Sequence, residues 1–213
     1  MVAFSPVPFM LCQDNIQPGQ THLCVIIDDH SRFVTHAAYY PGENTASFHD
    51  CLKCVLRKRG VPRKLYTDNG GAFISHHSKQ ICASIDIEPL HHKPYAGWSK
   101  GEIEKMTGTI QLGFEAWIRN RKDTSLALLE INQQLQHWLD SIYHQRLHRK
   151  TKEKPVDRHL PSLHRKEIRL IDVENELELE RLFYIKTKRK VRADGTIQLG
   201  GHYYEVDLSL KGL

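Results

Sequence analysis

A short apolar run, Leu65-Tyr66-Thr67, stops on Asp68-Asn69-Gly70-Gly71, and Glu104, separated from Asp68 by 35 residues, lies in a stretch, Ser99 to Lys105, that reads as a helix start. An Asn-Gly pair after an acid is a turn signal that ends a strand. Sheets covered by helices take their ligands just outside the carboxyl ends of the strands. An acid at such an end and a glutamate on a later helix can therefore converge on a metal. This pairing narrows the fold to one in which a strand end faces a helix start.

Two glutamates compete for the second position. Ser99-x-x-Glu102 fits a capping box, in which both side chains satisfy free amides of the first helical turn, and this gives Glu102 a structural task. Helical spacing puts Ile103, Met106, Ile110, Phe114 and Trp117 on one apolar face. Glu104 lies at the edge of that face, with Thr107, Gly108 and Gln111 on its own side, where little bulk blocks a ligand. Glu104 is the candidate ligand.

The rest of the chain supplies a sheet for this site. Residues 2 to 12 are apolar and strand-like, with Pro6 and Pro8 restricting them to an edge or bulge. Leu23 to Ile27 is a continuous apolar run, as in a strand buried on both faces. Asp28-Asp29-His30-Ser31-Arg32 turns the chain into a third strand, Phe33 to Tyr40. Phe48, Cys51, Leu52, Val55 and Leu56 then recur at helical spacing up to Gly60 and Pro62. After strand 64–67, Ile81, Cys82 and Ile85 mark another helix, and 87–91 another strand. A last long helix carries Leu128, Ile131, Leu135, Trp138 and Ile142 on one stripe. The predicted order is βββαβαβαα, an α/β fold with a mixed sheet and helices on its faces.

Residues 145–178, rich in Arg, His and Lys with Pro155 and Pro161, read as a basic linker between a core, 1–144, and a small all-β module, 179–213. Strands are expected at 183–187, 190–192, 196–199 and 203–206, with turns at Asp194-Gly195 and Gly200-Gly201. The module is too short to close a barrel core by itself. The net charge of +5 suits a polyanionic partner. Five cysteines, an odd number in a chain of 213 residues, argue against a disulfide framework and for a reducing compartment. No run reaches transmembrane length and the N-terminus lacks a signal-peptide pattern. The expectation is a cytoplasmic protein.

The runs IIDDHSRF (26–33), RGVPRKLYTDNGGAF (59–73) and HHKPYAGWSKGEIEK (91–105) together resemble the catalytic core of bacterial insertion-sequence transposases, relatives of retroviral integrases. RKVRADGTIQLGGHYYEV (189–206) is similar to the small C-terminal barrel of the phage Mu-related members. The resemblance implies a ribonuclease H-like fold and three metal-binding carboxylates. Asp68 matches the second, and Glu104, followed by Lys105, matches the third. The first lies on the first strand, and the alignment places Met1 there, with Asp14 the nearest acid and Asp28 and Asp29 in the turn after the second strand. The family's N-terminal DNA-binding region and longer barrel have no counterpart here, so the expectation is a fragment truncated at both ends, with impaired activity.

In this family Mg2+ (or Mn2+) on the carboxylates activates a hydroxyl for phosphodiester cleavage and strand transfer. The implied partners are transposon-end and target DNA, with a homo-oligomer assembled on the DNA in the bacterial cytoplasm at the nucleoid. Lys100 and Lys105, flanking the proposed metal site, are expected to contact DNA. Two other function classes compete: an inactive remnant that binds DNA or full-length transposase, and a ribonuclease H-like nuclease with another substrate. Cys51-x-x-Cys54 within one helix reads as buried thiols rather than a zinc site, and the pairs His76-His77 and His91-His92 as surface and strand-end residues.

Overall fold

The computed structural model describes residues 2–7, 21–68, 70–91, 97–120, 127–164, 176–185, 187–207 and 209; for 2–7, 97–100, 102, 162–164 and 176 the description is of the backbone. Five strands, β1 (Val2–Val7), β2 (Thr21–Ile27), β3 (Val34–Tyr40), β4 (Lys64–Thr67) and β5 (Glu88–His91), form one sheet in the order β3-β2-β1-β4-β5. β1 runs antiparallel to β2, and β2 to β3, whereas β4 is parallel to both β1 and β5. The expected mixed sheet is thus present. Pro89 sits in β5 at one edge, where a missing amide costs no ladder bond on the outer side.

Helices cover both faces. β2 explains why: Leu23, Val25 and Ile27 point into one apolar cluster and Cys24 and Ile26 into another. A strand buried on both sides needs an unbroken apolar run. The first cluster is completed by α4 (Gly97–Ile110) and α6 (Leu128–Trp138). The second is completed by α1 (Thr45–Arg59) and α3 (His76–Ser84), with a short α2 (Gly71–Ile74) directly after the Asp68 turn. α1 begins on Asn44, whose side chain accepts the amide of Ser47 at 2.9 Å. α6 also closes the outer edge of β3. Asn132 accepts the Tyr39 amide at 2.7 Å and donates to the Tyr39 carbonyl at 3.0 Å, and Gln136 donates to the Ala37 carbonyl at 2.6 Å.

Two apolar stripes differ from the expected phase, each by one residue. Trp117 is 48% exposed and Ile118 is buried in its place; Ile142 is 53% exposed and Tyr143 is buried in its place. A π-helical turn accompanies each switch: Gln111–Glu115 precedes the first, ahead of α5 (Ala116–Arg119), and Leu139–Tyr143, after α6, contains the second. A π turn closes i→i+5 bonds and takes one residue more than an α turn, so everything beyond it is rotated on the helix axis. A regular 3.6-residue period cannot anticipate that step.

The described part of the stretch expected as a linker, 145–178, is partly helical. α7 (Pro155–His164) lies within it and α8 (Glu176–Leu182) begins at its end, and both pack on the core. Buried Leu179 joins the second cluster with Phe183 against it, and Lys53 of α1 meets Glu180 at 2.8 Å. The packing divides the chain between Phe183 and Tyr184. Phe183 therefore belongs to the first unit, where the ammonium of Lys53 lies 5.3 Å from its ring centre, and not to a barrel strand.

In the second unit the described residues form one antiparallel hairpin, β6 (Thr196–Leu199) and β7 (His202–Glu205); the described residues of the two earlier expected strands, 183–187 and 190–192, form no strand. Gly200 and Gly201 both have positive φ, +58° and +84°, as a two-residue hairpin turn requires.

Candidate active site

Asp68 follows the last residue of β4. The amide of Gly70 donates to its Oδ1 at 2.9 Å, which fixes the orientation of the carboxylate. Gly70 is required for space. A Cβ there would sit 2.9 Å from the same oxygen and 3.3 Å from the Phe73 ring. Parallel register brings His91, the last residue of β5, beside Thr67, and Thr67 Oγ1 and His91 Nδ1 are 2.9 Å apart. On the other side β1 pairs Val2 with Thr67, so the central strand begins at the rung where β4 ends. Met1, which the alignment sets at the first acidic position, lies outside the described residues.

Glu104 is exposed on α4, between Ile103, which is buried, and Lys105, which is also exposed. Ile103 and Met106 belong to the cluster under β2, and α4 packs against β1 and β2. Burial of these two neighbours fixes the rotation of the helix and leaves Glu104 at the rim. Gly101 and Gly108 keep both flanks of that rim open, with nothing within 4 Å of an added Cβ. The side chains of Lys100, Ser99 and Glu102 lie outside the described residues, and with them the proposed capping box and one proposed DNA contact. Lys105 lines a cavity of about 620 Å³ together with Thr109, Arg146, Arg149 and Lys150. The basic loop had been read only as linker; its richness in Arg and Lys was visible, but not which helix it faces.

Carboxylates at a strand end and on a facing helix are hard oxygen donors, the type that suits Mg2+ or Mn2+. Asp68 fits such a site because its orientation is fixed by a backbone amide. Among the described residues, no three His, Cys, Asp or Glu side chains come together as a ready cage. Cys51 and Cys54 are free, and burial pushes both thiols up from their ordinary range.

The turn after β2 has a different role from the site. Asp28 accepts hydrogen bonds from the Ser31 amide and hydroxyl, and its Oδ2 lies 3.8 Å from Nδ1 of His159 on α7. Burial pushes Asp28 up, but the contacts with His159 and Ser31 outweigh it and hold the carboxyl well below its usual range. Phe33 is stacked between His144, at 3.8 Å, and His159, at 4.4 Å. The amide of Val34 donates to Nε2 of His144 at 3.2 Å, and Arg158 donates to the carbonyl of His30 at 2.9 Å. The run IDDHSRF is thus a seat for residues 144–159. Asp28 ties the turn to α7 through His159, and Asp29 meets Arg32 within the turn at 2.6 Å.

Residues 10–96 match the model of the integrase core domain. The chain is 28% identical over 153 residues to the transposase for transposon Tn552 of Staphylococcus aureus, covering 64% of this chain and 32% of that protein. It therefore spans about a third of that transposase. Among solved structures, the catalytic core domain of BIV integrase superposes with a TM-score of 0.58 at 20% identity, covering 78% of this chain and 97% of that one. The HTLV-2 integrase catalytic core domain in complex with magnesium superposes with a TM-score of 0.56 at 19% identity, covering 74% and 93%. These likenesses show the fold alone, the ribonuclease H-like fold of integrase catalytic cores.

Proposed function

We propose, from the premise that this chain carries an integrase core domain of the transposase and retroviral-integrase type, that its chemistry is metal-dependent phosphodiester cleavage and strand transfer in DNA transposition. The observation that supports this reading most is the place of Asp68. It stands at the carboxyl end of β4, next to the central parallel strand, with its carboxylate fixed by Gly70. Asp68 and Glu104 are the residues that would hold Mg2+ or Mn2+, and the HTLV-2 core is a complex with magnesium. The bound ion supplies positive charge that lowers the pKa of the attacking oxygen and stabilises the leaving one. The chain's own part is to orient the carboxylates and to hold the phosphate backbone with Lys100 and Lys105. The transposon ends and target are DNA, the assembly is a homo-oligomer on DNA, and the compartment is the bacterial cytoplasm. No described helix is long and apolar enough to cross a membrane.

The residue matched to the first acid is Met1, and a thioether is a poor ligand for Mg2+. We propose that two carboxylates bind the ion weakly and that the chain as it stands has impaired strand transfer. This favours, as a second reading, a remnant that binds DNA or full-length transposase without catalysis. The test is Mn2+- and Mg2+-dependent joining of a pre-nicked transposon end to plasmid DNA. Four proteins are compared: the chain, its Asp68→Asn variant, a tagged Met1→Asp variant, and the tagged Met1→Asp/Asp68→Asn double variant. Joining restored by Met1→Asp and abolished by adding Asp68→Asn supports the enzyme with a lost ligand. Joining by the unaltered chain that survives Asp68→Asn would overturn the assignment of the site.

A further inference from the structure

We infer that a slot in the sheet accepts an extended segment that continues the central strand ahead of Val2, joined to the chain through Met1. A cavity of about 550 Å³ is lined by Ile27, Asp28 and Asp29 on the β2 side and by Lys64, Leu65 and Tyr66 on the β4 side. β1 pairs Val2 with Ile26 of β2 and with Thr67 of β4. At that rung there is room for one strand between β2 and β4, at a spacing of about 4.8 Å from each. Carrying both registers forward places the next rung beside Ile27 and Tyr66, the second beside Asp28 and Leu65, and the third beside Asp29 and Lys64. All of these line the cavity, which therefore runs in line with β1. Three extended residues span about 10 Å of it. The slot goes beyond the proposed function, since it concerns the sheet that carries Asp68 and needs neither metal nor DNA.

The two faces of the slot differ. Ile26 and Leu65 share an apolar cluster with Leu52 and Val55 of α1, and both helix residues line the cavity. Directly paired side chains lie on one face of a sheet, and successive ones alternate between faces. A second-rung residue, paired with Leu65, therefore meets Leu52 and Val55, which are 1% and 4% exposed. The first and third rungs face the other way. On that face Ile27, Arg32 and Lys150 line both this cavity and the basic one beside α4. The segment takes an apolar residue directly ahead of Met1 and a polar one before it.

Occupation of the slot completes the ladder beneath Asp68. β4 pairs with β5 over four rungs, from Lys64 to Thr67, whereas among the described residues its pairing with β1 is that of Thr67 with Val2. A strand in the slot extends this second ladder along β4 and steadies the strand whose end carries Asp68. A small ligand has no backbone with which to continue either register. A strand of a separate chain would bring its own terminus up against that of β1 and bury charged chain ends beside the apolar layer of α1, at a large desolvation cost. A joined segment enters without those charges.

The test uses the full chain extended ahead of Met1 by Gly-Ser-Gln-Ile, by Gly-Ser-Ile-Gln or by Gly-Ser-Gly-Ser. Burial of the isoleucine at the second rung should raise the thermal midpoint of the first form by roughly 3–10 °C over the third. Reversing the pair turns the isoleucine to the other face and should lose most of that gain. Amide exchange over 64–67 should slow in the first form alone. Val55→Ala takes one wall from the second rung and should shrink the gain, so that the two changes are not additive. The inference is overturned if Gln-Ile gives no rise, if Ile-Gln gives an equal one, or if Val55→Ala leaves the gain intact. It is also overturned if the free peptide acetyl-Gly-Ser-Gln-Ile-amide gives the same rise when added to the unextended chain, which would assign the slot to a separate chain.

Discussion

Two glycines carry more of the argument at the residue scale than any charged group. Gly70 gives its amide to Asp68 and leaves room for the same carboxylate. Gly70→Ala would set a methyl 2.9 Å from Oδ1 and force the carboxylate to turn away. Groups that orient a metal ligand typically change metal affinity or activity by about 10- to 100-fold when altered. We expect a loss in that range in a Mn2+ titration, with the thermal midpoint nearly unchanged; wild-type affinity would show that Gly70 does not position Asp68. Gly113 works by contact instead. An added Cβ would approach Trp138 Cζ2 to 2.7 Å, and the ring is buried. Gly113→Ala should destabilise by about 1–3 kcal/mol, the usual cost of overpacking. Trp138→Phe in the same chain should recover part of it, and an unchanged denaturant midpoint in the single variant would contradict the close packing. Asp68 and Glu104 were legible in the sequence because a strand end, a turn pair and a helix start each leave a local signature. Gly113 was not, since its partner is 25 residues away on another helix.

The elements were legible wherever one period governs them. The runs at 21–27 and 34–40, the stripe of α1 and the buried side of α4 all emerge where hydrophobic spacing sets them. The π turns were hidden because they leave the residue types unchanged and alter only the phase beyond them. Sequence also says little about the outer edge of β3, an open row of donors and acceptors in any sheet. Asn132 and Gln136, one helical turn apart, read as ordinary polar positions, yet they take three backbone groups of that edge. Asn132→Ala would strip the Tyr39 amide and carbonyl of their side-chain partner, at a cost of about 1–3 kcal/mol. For a protein of this size that corresponds to roughly 2–4 °C in thermal midpoint per kcal/mol. Asn132→Asp keeps the acceptor and loses the donor, so it should fall between. Light scattering during unfolding should rise in the Ala variant as the edge becomes available for pairing. Identical midpoints for all three proteins would mean that the edge is sealed by something else.

At the scale of the molecule, the least legible feature was the attachment of α7 and α8 to the core. The basic, proline-containing composition of 145–178 reads as solvated linker, while the anchors are two histidines stacked on Phe33 and a single leucine, Leu179. Buried histidines recur across the fold, and they make its stability depend on pH. Burial lowers the pKa of His36, His49 and His144 to about 4 each; Lys58 adds to this for His36 and His77 for His49, whereas Asp140 opposes it for His144. The unfolded chain takes up these protons near the ordinary value of 6.5, and the folded chain resists them until about 4. Between those limits the unfolded state holds more protons, so stability rises with pH and is lost as pH falls. Glu115 acts in the opposite sense. Burial raises its pKa, so the folded state keeps a proton that the unfolded one releases, which offsets about one histidine over part of the window. Each uncompensated proton changes stability by about 1.4 kcal/mol per pH unit. Urea unfolding between pH 7 and pH 4.5 should therefore show a loss on the order of a few kcal/mol, steepest below pH 6. His144→Gln should lower stability at neutral pH, because Val34 loses a well-placed acceptor, and should flatten the pH slope by about one proton. A slope that is the same in the variant and the wild type would mean that His144 takes up its proton at the same pH in the folded and unfolded chain, with the Asp140 carboxylate 3.2 Å away fully offsetting its burial. A steeper slope in the variant would mean that His144 is charged in the folded protein and paired with Asp140.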